Sequence, residues 1–332
     1  MSRSAAISCC GKDQHIVVGS ANTLQTTPSV TRRRAVQLLA SFAAAPFVVG
    51  FPESASADDS GSGAFRALTP ADGRALFQEA VEAVLPISGF RSRVALRDSL
   101  LRLVAEGVID LQQLAAVYEG RGGFPVEQKY QLRWPSHLPI HLTTDNANYY
   151  VNLLWPVGLA NAIPSNRASP MNGPSLSRFA STAGWTLGKD HGATYFNRFQ
   201  IVELTPEQEE LATRVAKNTY RPCYGNSTFF QDCNHGSALF GLLQLGASQG
   251  PGEGELYEEA LAFNSHWFPQ NYIQTADYFR LFENKGWKDI APKLLMFARY
   301  SALGPWRATV EARFAEIPNL LPEPEGGQSC GI

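Results

Sequence analysis

Asp232-Cys-Asn-His-Gly-Ser-Ala-Leu-Phe-Gly-Leu-Leu-Gln-Leu245 is the stretch that decides how this chain folds. It opens on a helix-capping residue type and continues from Ala238 to Leu245 without a charge, so the helix predicted over 235–248 is apolar all round and belongs inside a core. The preceding loop, Tyr220-Arg-Pro-Cys-Tyr-Gly-Asn-Ser-Thr-Phe-Phe-Gln231, adds a second cysteine. Cys223, Cys233 and His235 are thereby gathered at the start of a buried helix. Asp232 is the expected N-cap, which places Cys233 in the first turn, where the helix terminus lowers a thiol's pKa.

Helix signals lie on both sides. Thr69, Pro70 and Asp72 form an N-cap, a first-turn proline and an acidic first turn, followed by Leu76, Ala80, Val81 and Val84 on one face. Ser92 is a candidate cap for a second helix through Leu96, Leu100, Leu103 and Val104, and Asp110 for a third that stops at Gly120. Thr205 and Gln208 have capping-box spacing for a helix reaching about Tyr220. Further helices are predicted at 254–265, 270–284, 289–301 and 306–316. From Phe124 to Ile201, Pro, Asn, Ser and Gly are frequent, but the aromatics among them argue for ordered loops, with a short helix over 149–159. No alternating strand pattern of convincing length stands out. The expected fold is mainly α: a single helical domain over 69–317 with a long ordered irregular segment in the middle, preceded by flexible residues 58–68 and followed by an extended tail, 318–332.

Residues 1–57 read as a presequence. Residues 1–34 are rich in Ser and Thr with Asp13 as their one acid; they end in Thr31-Arg-Arg-Arg34, and the uncharged run Ala35–Gly50 leads to Ala55-Ser-Ala57, a cleavage signal before Asp58. This arrangement resembles the bipartite targeting peptides of thylakoid-lumen proteins, a stromal transit part followed by a twin-arginine-type signal. The resemblance covers the presequence only, and implies a chloroplast thylakoid-lumen address and a thylakoid protein complex as a partner. A bacterial periplasmic address is the alternative. The apolar run is about 16 residues and carries Pro46, short of the roughly 20 that span a bilayer, so no permanent membrane anchor is expected.

Removing five basic and two acidic presequence residues from totals of 28 and 30 leaves 23 against 28, a formal charge of about −5. That disfavours nucleic acid as a partner. Cys223, Cys233 and Cys330 are the cysteines of the remaining chain, too few for a disulfide scaffold.

Three chemistries fit those thiols. Cys223 and Cys233 can form a disulfide that closes a loop of about 11 residues. Alternatively Cys223, Cys233 and His235, completed by Cys330, can bind a transition metal (zinc, iron or copper), although nine intervening residues is not the short spacing of zinc ribbons. In the third, Cys233 is a catalytic nucleophile or redox thiol. His235 is not its base, since residues two apart on a helix point about 200° apart.

The other histidines carry weaker signals. His137 and His141 have the spacing of a helical ligand pair, but Pro139 lies between them; His191 sits in a turn, and His266 at a helix end. Phe263, Trp267, Phe268, Tyr272, Tyr278, Phe279 and Phe282 read as core at helical spacing rather than a pigment or quinone pocket. No phosphate-binding glycine loop, nucleophile elbow or calcium loop is present. The expectation is an exported soluble protein with a thiol-centred metal-binding or redox site; the alternative is a non-enzymatic structural or assembly factor of a thylakoid complex with a Cys223–Cys233 disulfide.

Overall fold

The computed structural model describes residues 68–119, 123–314 and 317, and over them the protein is mainly α. The presequence, the tail and Cys330 lie outside the described residues. In chain order come α1 (Pro70–Val84), β1 (Phe90–Arg97), α2 (Ser99–Ala105), α3 (Leu111–Glu119), α4 (Val126–Gln131), β2 (Ser136–Leu142), α5 (Ala147–Ala160) and α6 (Ala180–Ala183). Four longer helices follow: α7 (Pro206–Asn218), α8 (Asn234–Gln249), α9 (Glu253–Trp267) and α10 (Pro269–Phe282). Several starts are those the capping residues predict. Thr69 and Thr205 make reciprocal capping boxes with Asp72 and Gln208, and Asp110 Oδ1 accepts from the backbone N–H groups of Gln112 and Gln113.

α8 lies in the centre, buried from Asn234 to Ala247. Its closest neighbour is α5, and the two backbones touch at two glycines. A Cβ on Gly158 would stand 1.9 Å from the carbonyl oxygen of Ser237, and one on Gly241 would stand 2.4 Å from that of Leu154. No other residue fits either position without the helices moving apart. The Ser237 hydroxyl reinforces the crossing at 3.1 Å from the Trp155 carbonyl oxygen.

The irregular segment from 161 to 201 is ordered by its buried polar groups. Asn161 Oδ1 accepts from the N–H groups of Ile201 and Val202, while its Nδ2 donates to Gln244 of α8 at 2.7 Å. Trp155 and Trp185 each donate an indole N–H to a backbone carbonyl, of Ser181 on the short α6 and of Val108 in the turn after α2 respectively. Buried indoles need such partners, and here they tie loops to the helical core.

Two regions depart from the sequence reading. Residues 90–97 form a strand rather than the start of a helix capped by Ser92. Exposed Arg91, Arg93 and Arg97 alternate with buried Ser92, Val94 and Leu96, a period of two along the chain. Leu96, Leu100 and Leu103 share a helical spacing only because α2 begins at Ser99. β1 pairs antiparallel with β2, Phe90 opposite Leu142 and Arg97 opposite Ser136. The Ser92 hydroxyl and the Arg93 N–H donate to the buried carboxylate of Glu259 on α9, at 2.6 and 2.7 Å. The Gln249 side chain both donates to and accepts from the Ala95 backbone, so that side chain occupies part of the edge of β1.

The second departure is at the C-terminal end, where the helix predicted at 289–301 is divided into Pro292–Leu295 and Ala298–Ser301, while the one predicted at 306–316 is found as continuous helix over 303–314 with a π-helical turn at Arg307–Glu311. Pro292 can only open a helix, and Pro305 is tolerated because it lies in the first turn of the last one.

The α5–α8 crossing makes a direct prediction. Gly158→Ala should destabilise the protein by about 2–3 kcal/mol, lowering Tm by roughly 4–12 °C, whereas Gly254→Ala, whose Cβ would meet nothing within 4 Å, should be neutral or raise stability by up to about 1 kcal/mol. Equal effects of the two substitutions in urea denaturation would contradict a backbone contact.

Candidate functional site

Between Lys217 and Glu253 the chain has two charged residues, Arg221 and Asp232. The fold puts them together. Arg221 is fully buried, and each of its five guanidinium N–H groups has a partner: Nε donates to Cys233 Sγ, Nη1 to the carbonyls of Asn226 and Ser227, and Nη2 to the Phe230 carbonyl and Asp232 Oδ1. The other Asp232 oxygen accepts from Asn226 Nδ2 at 2.6 Å. The loop from Tyr220 to Cys233 is therefore wound around one cation. Burial works against that charge, but Cys233, Cys223 and Asp232 outweigh it and raise the guanidinium's pKa. A substitution at Gly236, in the first turn of α8, would bring a Cβ within 2.7 Å of Nε and 2.8 Å of Cζ, so the guanidinium lies against bare helix backbone.

Asp232 is thus an ion-pair partner rather than the N-cap of α8. The cap is Cys233, whose sulfur accepts from the N–H of Gly236 at 3.2 Å and from Arg221 Nε at 3.1 Å. Cys223 Sγ is 3.6 Å away, a contact distance beyond the roughly 2.05 Å of a disulfide bond. Both cysteines are buried, Cys233 fully and Cys223 to 6% exposure. Burial pushes the Cys233 thiol well up, the hydrogen bond with Cys223 pushes it further, and Arg221 pulls the other way. Burial therefore outweighs the lowering expected from the helix terminus.

His235 takes a different path. Its ring packs on Phe268 and Trp267, with centroids 4.7 and 5.7 Å away, and neither ring nitrogen has a hydrogen-bond partner among the described residues. Burial first, and then the Arg221 charge, lower its pKa to about 3. It is a neutral member of an aromatic cluster. Among the described residues no group of three His, Cys, Asp or Glu side chains is placed to hold a metal, so the two thiols and His235 do not make a ligand set there; Cys330 lies outside those residues. Beside the thiols, the Tyr272 hydroxyl is 2.6 Å from Ser301 Oγ and accepts from Asn264 Nδ2, and burial raises its pKa.

The remaining histidines stand apart. His137 and His141 lie on β2, where positions four apart are about 13 Å distant along the strand, too far to share an ion. His141 Nε2 is 2.7 Å from the Ser88 carbonyl oxygen, His191 Nδ1 accepts from the Ala193 N–H at a turn, and His266 Nδ1 bonds the Ala262 carbonyl of its own helix.

No protein-family model, curated protein or solved structure matches this chain. Arg221 was not among the residues singled out from the sequence. The available signal was charge rather than motif: a lone Arg and a lone Asp in an otherwise uncharged stretch have only each other as partners once the stretch is buried.

Arg221→Met should cost about 3 kcal/mol by leaving the partly buried Asp232 and three inward-facing carbonyls without their donor, and Arg221→Lys should fail to restore stability, since a lysine brings three donors where five acceptors wait. Wild-type unfolding midpoints for the Lys variant would contradict the network. A second expectation concerns acid. The unfolded chain binds a proton on His235 near pH 6.5 and the folded chain only near pH 3, so stability falls as pH drops through that window, by up to about 1.4 kcal/mol per unit. His235→Phe should flatten the dependence of unfolding free energy on pH between 6 and 4; an unchanged slope would show that other groups set it.

Proposed function

We propose that Cys223 and Cys233 form a dithiol–disulfide couple that acts as a redox-controlled staple on the loop entering α8. The observation that carries this reading is the contact of the two sulfurs, 3.6 Å apart, at the two ends of a loop already gathered on Arg221. In the oxidising step each thiol loses a proton and an electron, the S–S bond forms, and an external disulfide accepts both electrons and protons to become two thiols. The bridge closes a loop of about 11 residues and contributes about 2.8 kcal/mol on the chain-entropy relation. An exported destination, lumenal or periplasmic, would supply the oxidising surroundings.

The site's burial favours a staple over a turning-over oxidoreductase. A catalytic dithiol presents one low-pKa sulfur to its substrate, and here burial holds the Cys233 thiol high and both sulfurs out of reach. The function this supports is that of a non-catalytic structural or assembly factor whose central loop is locked by oxidation. A metal-bound form would need ligands beyond the two sulfurs.

The test is to equilibrate the native protein with a redox buffer, denature it, alkylate the thiols that remain and map the peptides. A Cys223–Cys233 crosslinked peptide is expected from protein equilibrated with oxidised glutathione, with a Tm about 5–11 °C above the reduced form. Cys223→Ser should abolish the redox dependence, while Cys330→Ser should preserve it. One equivalent of zinc, iron or copper per chain by elemental analysis, or thiols that remain fully alkylatable after oxidation, would overturn the staple.

A further inference from the structure

A cavity of about 50 Å³ lies between α1 and α10, away from the thiols. That is room for about three water-sized groups. Its walls include Leu76 and Ala80 from α1 and the indole of Trp287 from the turn after α10. Its charged lining consists of Glu79 from α1 and Asp277 and Arg280 from α10; the Trp287 turn contributes none.

Asp277 is the unusual member. It is 2% exposed, yet Oδ2 has no hydrogen-bond partner among the described residues. Arg280 does not neutralise it, because that guanidinium lies 3.9 Å from the Glu79 carboxylate on the outer side. Burial, with the Glu79 charge adding to it, raises the Asp277 carboxyl to about 7. Native chains seldom bury an acceptor with nothing to accept from. Apolar walls, an indole and one carboxylate oxygen make a complementary set for a small organic cation.

We propose that this cavity binds an alkylammonium group, whose N–H donates to Asp277 Oδ2 while its first methylenes pack on Leu76, Ala80 and Trp287. A metal ion would find one buried carboxylate where six or more oxygens are wanted. A quaternary ammonium has no N–H to donate and exceeds the volume. The binding is linked to protons: above pH 7 Asp277 is ionised and ready, and below it each bound ammonium must displace a proton, so affinity falls up to tenfold per unit.

The full chain titrated calorimetrically with n-propylammonium chloride at pH 8 should show one site per chain, about tenfold weaker affinity at pH 6, and a Tm rise of about 5–11 °C at a hundredfold excess over Kd. Asp277→Asn keeps the shape and removes the charge; it should fold and lose at least tenfold in affinity. A parallel titration with Nα-acetyl-lysine amide separates the sources of the ammonium. Binding of both probes points to a lysine side chain of another polypeptide, and binding of propylammonium alone to a free small amine. No binding to the folded wild type, equal binding by Asp277→Asn, or equal binding of tetramethylammonium or potassium would overturn the proposal.

Discussion

The fold around α8 depends on satisfying one guanidinium. A buried arginine is tolerated only where all its donors meet acceptors and its charge meets an opposite one, and Arg221 meets both conditions within a single loop. Three backbone carbonyls, a carboxylate and a sulfur must point inward at once, which fixes the path from Asn226 to Cys233. That path sets where α8 starts and which residue caps it. The bare backbone at Gly236 then lets the cation lie against the helix, and over the next turn and a half the same helix meets α5 at glycine-thin contacts.

This order of dependence explains why the two sulfurs meet. Neither cysteine is positioned by the other: Cys233 is held as the helix cap by Gly236 and Arg221, and Cys223 follows Arg221 by two residues in a loop whose curvature the carbonyl ring dictates. Such a site differs from a reactive-thiol site in its dielectric. The positive neighbour that would stabilise a thiolate is present, but it is already committed to Asp232, and exclusion of water dominates what remains. With both sulfurs buried and the Cys233 thiol held high, a reagent would meet them only when the loop opens.

Much of the helical architecture was legible in the sequence because caps and apolar periodicity are local. Thr69, Asp110, Thr205 and the uncharged run after His235 each announce a helix within a few residues of where it forms. The strand at 90–97 reads in sequence as a helix start: its arginines alternate, but the leucines of the adjoining helix overlay a second period on the same residues. The site was half legible. Spacing identified the thiol loop and excluded His235 as a base, yet the group that organises the loop has no motif, since what defines it is the convergence of carbonyls that any residue can supply. His235 illustrates the converse: a titratable side chain beside two cysteines looked chemical, and aromatic packing made it inert.

The ring around Arg221 spans only a dozen residues, whereas the contact between Ser92 and Glu259 joins positions 167 apart and that between Ser237 and Trp155 joins positions 82 apart. Loop-closure entropy makes so short a ring cheaper to close than those long-range contacts. A nascent chain can therefore organise this turn before its strands find α9. The two cysteines at its ends are thereby brought near one another by local chain geometry alone, so the short sequence distance between a lone Arg and a lone Asp decides how early this corner of the fold can take shape.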